Sequence, residues 1–152
     1  MISYQYSKRI LKKAIIKIKD ENIKSINSLN RVVSKNIYSP INYPSGDNAA
    51  FDGYAVNSRD TKNIKKNSAK KFKIIGLIAA GNKPFNKKIK KFDAVEIMTG
   101  GIIPKGFDTI IPIEKIVFYP NNNIKRYILI DQKLKKHNHV RFAGSDFKKR
   151  EL

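Results

Sequence analysis

Two carboxylates, an amide and two glycines fall within the eight residues Gly46-Asp47-Asn48-Ala49-Ala50-Phe51-Asp52-Gly53. Asp47 and Asn48 can hydrogen-bond nearby backbone, and Gly53 permits a positive φ directly after Asp52. Such a stretch either makes an elaborate turn or holds Asp52 at the mouth of the strand that follows, where a carboxylate binds a hydrated metal or positions a water. A second segment, Ile97-Met98-Thr99-Gly100-Gly101, ends an apolar run in a hydroxyl and two glycines. Exposed backbone N–H groups beside a hydroxyl suit a phosphate or oxyanion, although two glycines after a strand also make an ordinary turn. Asp108 to Glu114 reads as a strand closed by a carboxylate, with Pro112 favouring a sheet edge. Arg141 and Asp146 flank Gly144 and read as a local ion pair.

The elements that must position these groups change character along the chain. Ile10, Leu11, Ala14, Ile15 and Ile18 share one helical face opposite several lysines, which predicts an amphipathic helix over Ser7 to Lys19. A helical turn at Ile26 and Leu29 and a strand through Val32, Val33 and Ile37 should follow. From Tyr54 onward, short apolar runs alternate with Gly, Pro, Asn and Lys breaks: Tyr54–Val56, Phe72–Ile78, Ala94–Met98, Thr109–Ile113, Ile116–Phe118 and Tyr127–Ile130. Six such strands without helical windows between them imply a mostly antiparallel sheet. Pro120-Asn121-Asn122-Asn123 should turn the last two into a hairpin. Lys62 to Lys71 and Lys87 to Lys91 read as solvated loops. The expected fold is α+β: an amino-terminal helix and lobe-forming segment over 1–40, a β-rich domain over 41–138, and the start of a return into the first lobe over 139–152.

The net charge of +20 over 152 residues invites a polyanionic partner. However, 26 of the 32 basic residues are Lys. Lys lacks the planar fork with which Arg reads guanine and phosphate, and no recognised nucleic-acid module accompanies the charge. The absence of Cys excludes disulfides, thiolate metal sites and Cys nucleophiles, and the two histidines, His137 and His139, give little support for a His-based metal site. No run of residues has the length and apolarity of a membrane span.

Taken in order, the motifs resemble the MoeA and gephyrin E-domain family of molybdopterin molybdenumtransferases. Pro44, Asp47, Asn48, Ala50, Asp52, Gly53, Tyr54, Ala55 and Val56 match its first signature. Asp60-Thr61, Ile78-Ala79-Ala80-Gly81, an intact Ile97-Met98-Thr99-Gly100, then Pro104, Gly106, Asp108 and Glu114 continue the match. Val140-Arg141 with Gly144 and Asp146 completes it, and Leu29-Asn30-Arg31-Val32 resembles an upstream step. Gly46, Ala49, Phe51, Asn30 and Ser145 depart from the pattern, and the chain is short of the family's length.

The resemblance implies a Mg²⁺-dependent cytoplasmic enzyme that cleaves adenylylated molybdopterin, releases AMP and inserts molybdate. It implies a homodimer in which this region faces the substrate domain of the other subunit, with the main metal ligands outside this chain. Residue by residue, it assigns catalysis to Asp52 and Thr99 and substrate contacts to Asp47, Asn48, Gly53 and Gly100, with no metal ligand of its own. A chain lacking the substrate domain is expected to be inactive alone. Two other readings stand beside this one: a degenerate domain kept for association, and a basic nucleic-acid-binding β domain.

Overall fold

The computed structural model describes all residues except 15–17, 66–67 and 83–84. The chain divides into two compact units, Met1–Ile37 and Tyr38–Leu152.

In the first unit, helix α1 (Tyr4–Lys13) begins where Ser3 stays extended and its hydroxyl accepts the Tyr6 N–H at 3.3 Å. That bond satisfies one of the orphan donors of the first turn, so the helix starts three residues before the expected Ser7. It ends at Ala14, whose backbone is extended. The apolar pattern continues to Ile18, but β-branched Ile15 and Ile16 come next in sequence and lower helix propensity. Positions 15–17 of the expected helix lie outside the described residues, and Ile18 and Lys19 are not helical. A single 3₁₀ turn, Ser25–Asn27, contains Ile26. The strand expected at Val32, Val33 and Ile37 is absent: these side chains are exposed, and no neighbouring strand satisfies their backbone. Arg31 and Glu21 form an ion pair within this unit.

The second unit is mostly β. Its strands are β1 (Asn48–Ala49), β2 (Gly53–Val56), β3 (Lys70–Ile78), β4 (Asp93–Ile97), β5 (Thr109–Pro112), β6 (Val117–Asn121), β7 (Ile124–Ile130) and β8 (Val140–Arg141). All six expected strands form, as β2 to β7, in one sheet of order β5-β2-β4-β3-β7-β6. Pairing is antiparallel except between β3 and β4, which run parallel. Pro112 lies on the edge strand β5, where its missing N–H costs no ladder bond, and β6 and β7 form the hairpin signalled at Pro120. Strand β3 begins inside the expected Lys62–Lys71 loop: Lys70 and Lys71 pair with Ile130 and Leu129 while their long side chains stay in solvent. Positions 66 and 67 of that loop lie outside the described residues.

Both faces of the central strands are covered. Ala55, Val95, Ile97 and Ile110 pack in one apolar cluster, and Tyr54, Val56, Ala94 and Ile111 in the other. Alternate side chains of β2 therefore enter opposite clusters, and all four of its residues are buried. Tyr54 stands opposite Glu96 on β4. Its hydroxyl is pushed well above the ordinary tyrosine range by burial and, secondarily, by the Glu96 carboxylate.

Carboxylates and hydroxyls tie the connections to this sheet. Asp108 accepts the Ser58 N–H at 2.7 Å and the Ser58 hydroxyl at 2.9 Å, holding the 3₁₀ turn Ser58–Thr61 to the start of β5. The Thr61 hydroxyl donates to Ser58 O and accepts the Leu134 N–H at 2.9 Å, and Asp60 accepts the Phe92 N–H at 2.9 Å. Segment 139–152 is tied to the beginning of the second unit. Strand β8 pairs with β1, Phe147 bridges and stacks on Tyr43, and Ser39 N–H donates to Glu151 O.

Candidate functional site

The segment that carries Asp47 to Asp52 is laced on both sides. On one side Asn48 and Ala49 pair with Arg141 and Val140, Ala50 N–H donates to His139 O at 3.0 Å, and Asp47 accepts the Ala143 N–H at 2.9 Å. On the other, Ala49 N–H donates to Gly101 O, Gly100 N–H to Ala49 O and Ile103 N–H to Asp47 O, all at 2.9–3.0 Å. Asp52 O accepts the Ile113 N–H at 3.0 Å. A short connecting segment bonded this densely holds its side chains in one arrangement.

Asp52 and Thr99, separated by 47 positions, meet at this frame. Asp52 Oδ1 accepts both the Thr99 N–H at 2.7 Å and the Thr99 hydroxyl at 2.6 Å. Both residues are exposed, and Asp52 Oδ2 receives no hydrogen bond from the described residues. The Thr99 hydroxyl, and then its N–H, hold the Asp52 carboxyl below the ordinary aspartate value of 3.8. At neutral pH the site presents an anchored carboxylate with one oxygen turned to solvent.

The expected glycine roles change. Gly53 does not have a positive φ, which occurs instead at Gly81, Gly100, Gly106 and Gly144. Gly53 is needed for close approach, because a Cβ there would stand 2.0 Å from the Ile111 carbonyl oxygen. Gly100 does turn in the left-handed region, with φ 79°. The backbone donors of Thr99-Gly100-Gly101 are engaged within the chain: Thr99 N–H goes to Asp52, Gly100 N–H to Ala49 and Gly101 N–H to Met98. None of the three donors remains free for an oxyanion.

Asp47 serves as a backbone clamp, whereas Asn48 is buried at 7% exposure and its Oδ1 has no hydrogen-bond partner. A buried amide left unpaired is costly unless water or a ligand completes it. Arg141 and Asp146 form the expected ion pair, and Asp146 is held below its ordinary value chiefly by that bond. Phe51, half-exposed beside Asp52, meets the His139 ring edge to face at 5.0 Å. Nothing in the sequence pairs Phe51 with His139, 88 positions away. Among the described residues no three of His, Cys, Asp or Glu converge as a metal site, and no helix is long and apolar enough to cross a membrane.

The Asp52–Thr99 bonds predict a titration. Thr99→Val removes the hydroxyl and keeps the N–H, so the Asp52 pKa should rise toward 3.8 without losing all of its depression. Carboxyl-carbon NMR through an acid titration checks this, and an unmoved Asp52 resonance would remove the hydroxyl as its partner. Because the folded-state value is depressed, these bonds stabilise the fold above the ordinary carboxylate pKa. That contribution is lost as pH falls through the depressed value, and the loss should be smaller in the variant.

Comparison with known proteins gives the family. The family described as MoeA N-terminal region (domain I and II) matches residues 2–152. A molybdopterin molybdenumtransferase of Haemophilus influenzae is 37% identical over 120 residues, 79% of this chain and 27% of that protein. The Bacillus subtilis protein of the same name is 30% identical over 122 residues, 80% of this chain and 28% of that protein. The chain thus spans about a quarter of the length of these relatives. Among solved structures, the molybdopterin biosynthesis moeA protein of Pyrococcus horikoshii OT3 superposes with a TM-score of 0.87 at 25% identity, covering 100% of this chain and 39% of that one. Matched along residues 2–152, the chain belongs to the MoeA N-terminal region family.

Proposed function

We propose that this chain supplies the Asp52–Thr99 face of a molybdopterin molybdenumtransferase, the enzyme that cleaves adenylylated molybdopterin, releases AMP and inserts molybdate. The observation that carries the reading is the anchored, exposed Asp52 carboxylate, one oxygen of which is saturated by Thr99 and the other open. Cleaving a phosphoanhydride calls for a water or hydrated cation held beside the bond, and Asp52 Oδ2 is placed to hold either. Thr99 acts through Asp52 as a positioning residue, since its hydroxyl proton is already donated. Of the other assigned contacts, Asn48 retains an unpaired amide for the substrate, while Asp47, Gly53 and Gly100 shape the frame.

A single carboxylate with a free oxygen fits Mg²⁺, which keeps most of its waters and takes one or two carboxylates together with substrate phosphates. When bound, the cation would neutralise charge on the departing phosphate. Asp52 can contribute one ligand, and the others belong outside this chain. Action in the cytoplasm as a homodimer, with this face turned to a partner subunit's substrate domain, rests on the family resemblance and forms part of the proposal. Family membership along residues 2–152 favours neither a bare association domain nor a nucleic-acid-binding domain.

The test is a chimera in which residues 2–152 replace the matching region of the Haemophilus influenzae relative. AMP release from adenylylated molybdopterin in the presence of Mg²⁺ and molybdate is expected from the chimera, and the separate chain should release none. A folded chimera without turnover would refute the proposal.

A further inference from the structure

The second unit contains an open cavity of about 610 Å³, lined by neither Asp52 nor Thr99. Ile78, Phe85, Ile89 and Ile103 line its apolar interior, and exposed Ile102 stands at its mouth. Two glycines make room for these walls. A Cβ at Gly76 would stand 2.9 Å from the Phe85 ring, and one at Gly106 would stand 3.3 Å from Ile89. Lys87, Lys88 and Lys105 complete the rim, with no carboxylate among the lining residues. Neither ion pair among the described residues involves these lysines. The Lys87 ammonium is fixed by donating to Ile75 O at 2.7 Å, which leaves two of its protons for another acceptor.

A Lys-rich chain places cations over most of its surface, but a flat basic surface has no apolar interior. Here the interior is large enough for a drug-sized molecule, and it is ringed by cations that nothing neutralises. An inorganic anion would leave the apolar walls wet, and a neutral hydrocarbon would leave the ammonium groups unpaired. An occupant satisfying both has a ring body and a single acidic group.

We propose that this cavity binds a small aromatic anion, its ring body against Phe85, Ile89 and Ile103 and its phosphate, sulfonate or carboxylate among Lys87, Lys88 and Lys105. The inference does not rest on the transferase reading, since neither Asp52 nor Thr99 lines the cavity, although Ile102 and Ile103 adjoin Asn48 and Asp47. The full chain is titrated with 1-naphthyl phosphate, with 1-naphthalenemethanol as the neutral counterpart and with inorganic phosphate. Binding is followed by calorimetry and by amide shifts of Ile78, Phe85, Ile89 and Ile103. The naphthyl phosphate is expected to bind at one site with shifts centred on those residues, and each control to bind about tenfold or more weakly, as loss of one well-placed interaction implies. Lys88→Gln with Lys105→Gln, both exposed and harmless to folding, should weaken the naphthyl phosphate by about tenfold and leave the alcohol unchanged. Equal binding of inorganic phosphate would reduce the site to surface charge. Equal binding of the alcohol would remove the role of the lysines. Shifts centred elsewhere, including on Thr99 or Asp52, would overturn the location.

Discussion

Gly53→Ala is expected to destabilise the β unit by about 3 kcal/mol, near the upper end of what overpacking ordinarily costs. The added Cβ would lie 2.0 Å from Ile111 O and 2.9 Å from its carbonyl carbon. Those atoms are backbone of β5, which pairs with β2 through Gly53–Pro112 and Tyr54–Ile111, so no flexible side chain can yield. Relief requires prying β5 from β2, and both strands are buried. Gly81→Ala separates this cause from backbone strain: that glycine has φ 77° but nothing within 4 Å of the added Cβ. It should lose only about 1 kcal/mol, the cost of placing one L-residue in the left-handed region. Urea unfolding with unchanged slope gives both values. A Gly53→Ala midpoint within error of wild type, or equal losses in the two variants, would show that β5 does not press on β2 at that point.

The same glycine shows what was legible in the sequence. A glycine directly after Asp52 signals that a side chain is unwelcome, but not whether conformation or proximity excludes it. Proximity depends on β5, which begins 56 positions later. Strand existence was readable from apolar runs cut by Gly, Pro and Asn, the edge position of Pro112 followed from proline's missing N–H, and the Pro120–Asn123 run marked the turn, which falls at Asn122 and Asn123. Strand order was not, since a period of two assigns faces and leaves partners open. The parallel pairing of β3 with β4 is therefore new information. Continuous burial of β2 and β5 arises because two separate clusters cover both faces.

Polar residues were harder to sort. Asp47, Asp52, Asp60 and Asp108 all match the family pattern, and sequence alone ranks them only through that resemblance. Their partners distinguish them: Asp47, Asp60 and Asp108 accept backbone N–H groups from Ala143, Phe92 and Ser58, between 32 and 96 positions away. Asp52 is as exposed as Asp47 and also accepts a backbone N–H, but one of its oxygens takes both the N–H and the hydroxyl of the same residue, Thr99. In the amino-terminal unit, the helix begins before the expected Ser7 because hydrophobic spacing does not register the Ser3 cap. Val32, Val33 and Ile37 had strand composition without a strand beside them.

Asp52→Ala in the chimeric enzyme is expected to lower kcat for AMP release by about a hundredfold or more, the scale of a lost positioned acid–base or charge-stabilising group. Because Asp52 is exposed, its removal buries no unpaired group: the Thr99 N–H and hydroxyl return to water. The unfolding midpoint should therefore change little, and the loss should appear as chemistry. Asp52→Asn separates the contributions, since it keeps an oxygen for Thr99 and removes the charge. If the free oxygen holds a cation or activates water, Asn should be nearly as damaging as Ala in kcat. If Asp52 only braces the Thr99 turn, Asn should retain most of the activity. Thr99→Val should lie between wild type and Asp52→Ala, because its N–H still anchors Oδ1 while the carboxylate regains rotational freedom. Its deficit should fall mainly on kcat, as expected of a group acting through Asp52, with KM nearly unchanged. A kcat for Asp52→Ala within about threefold of the parent chimera would leave Asp52 as a turn residue and remove it from the reaction, since no positioned catalytic group contributes so little.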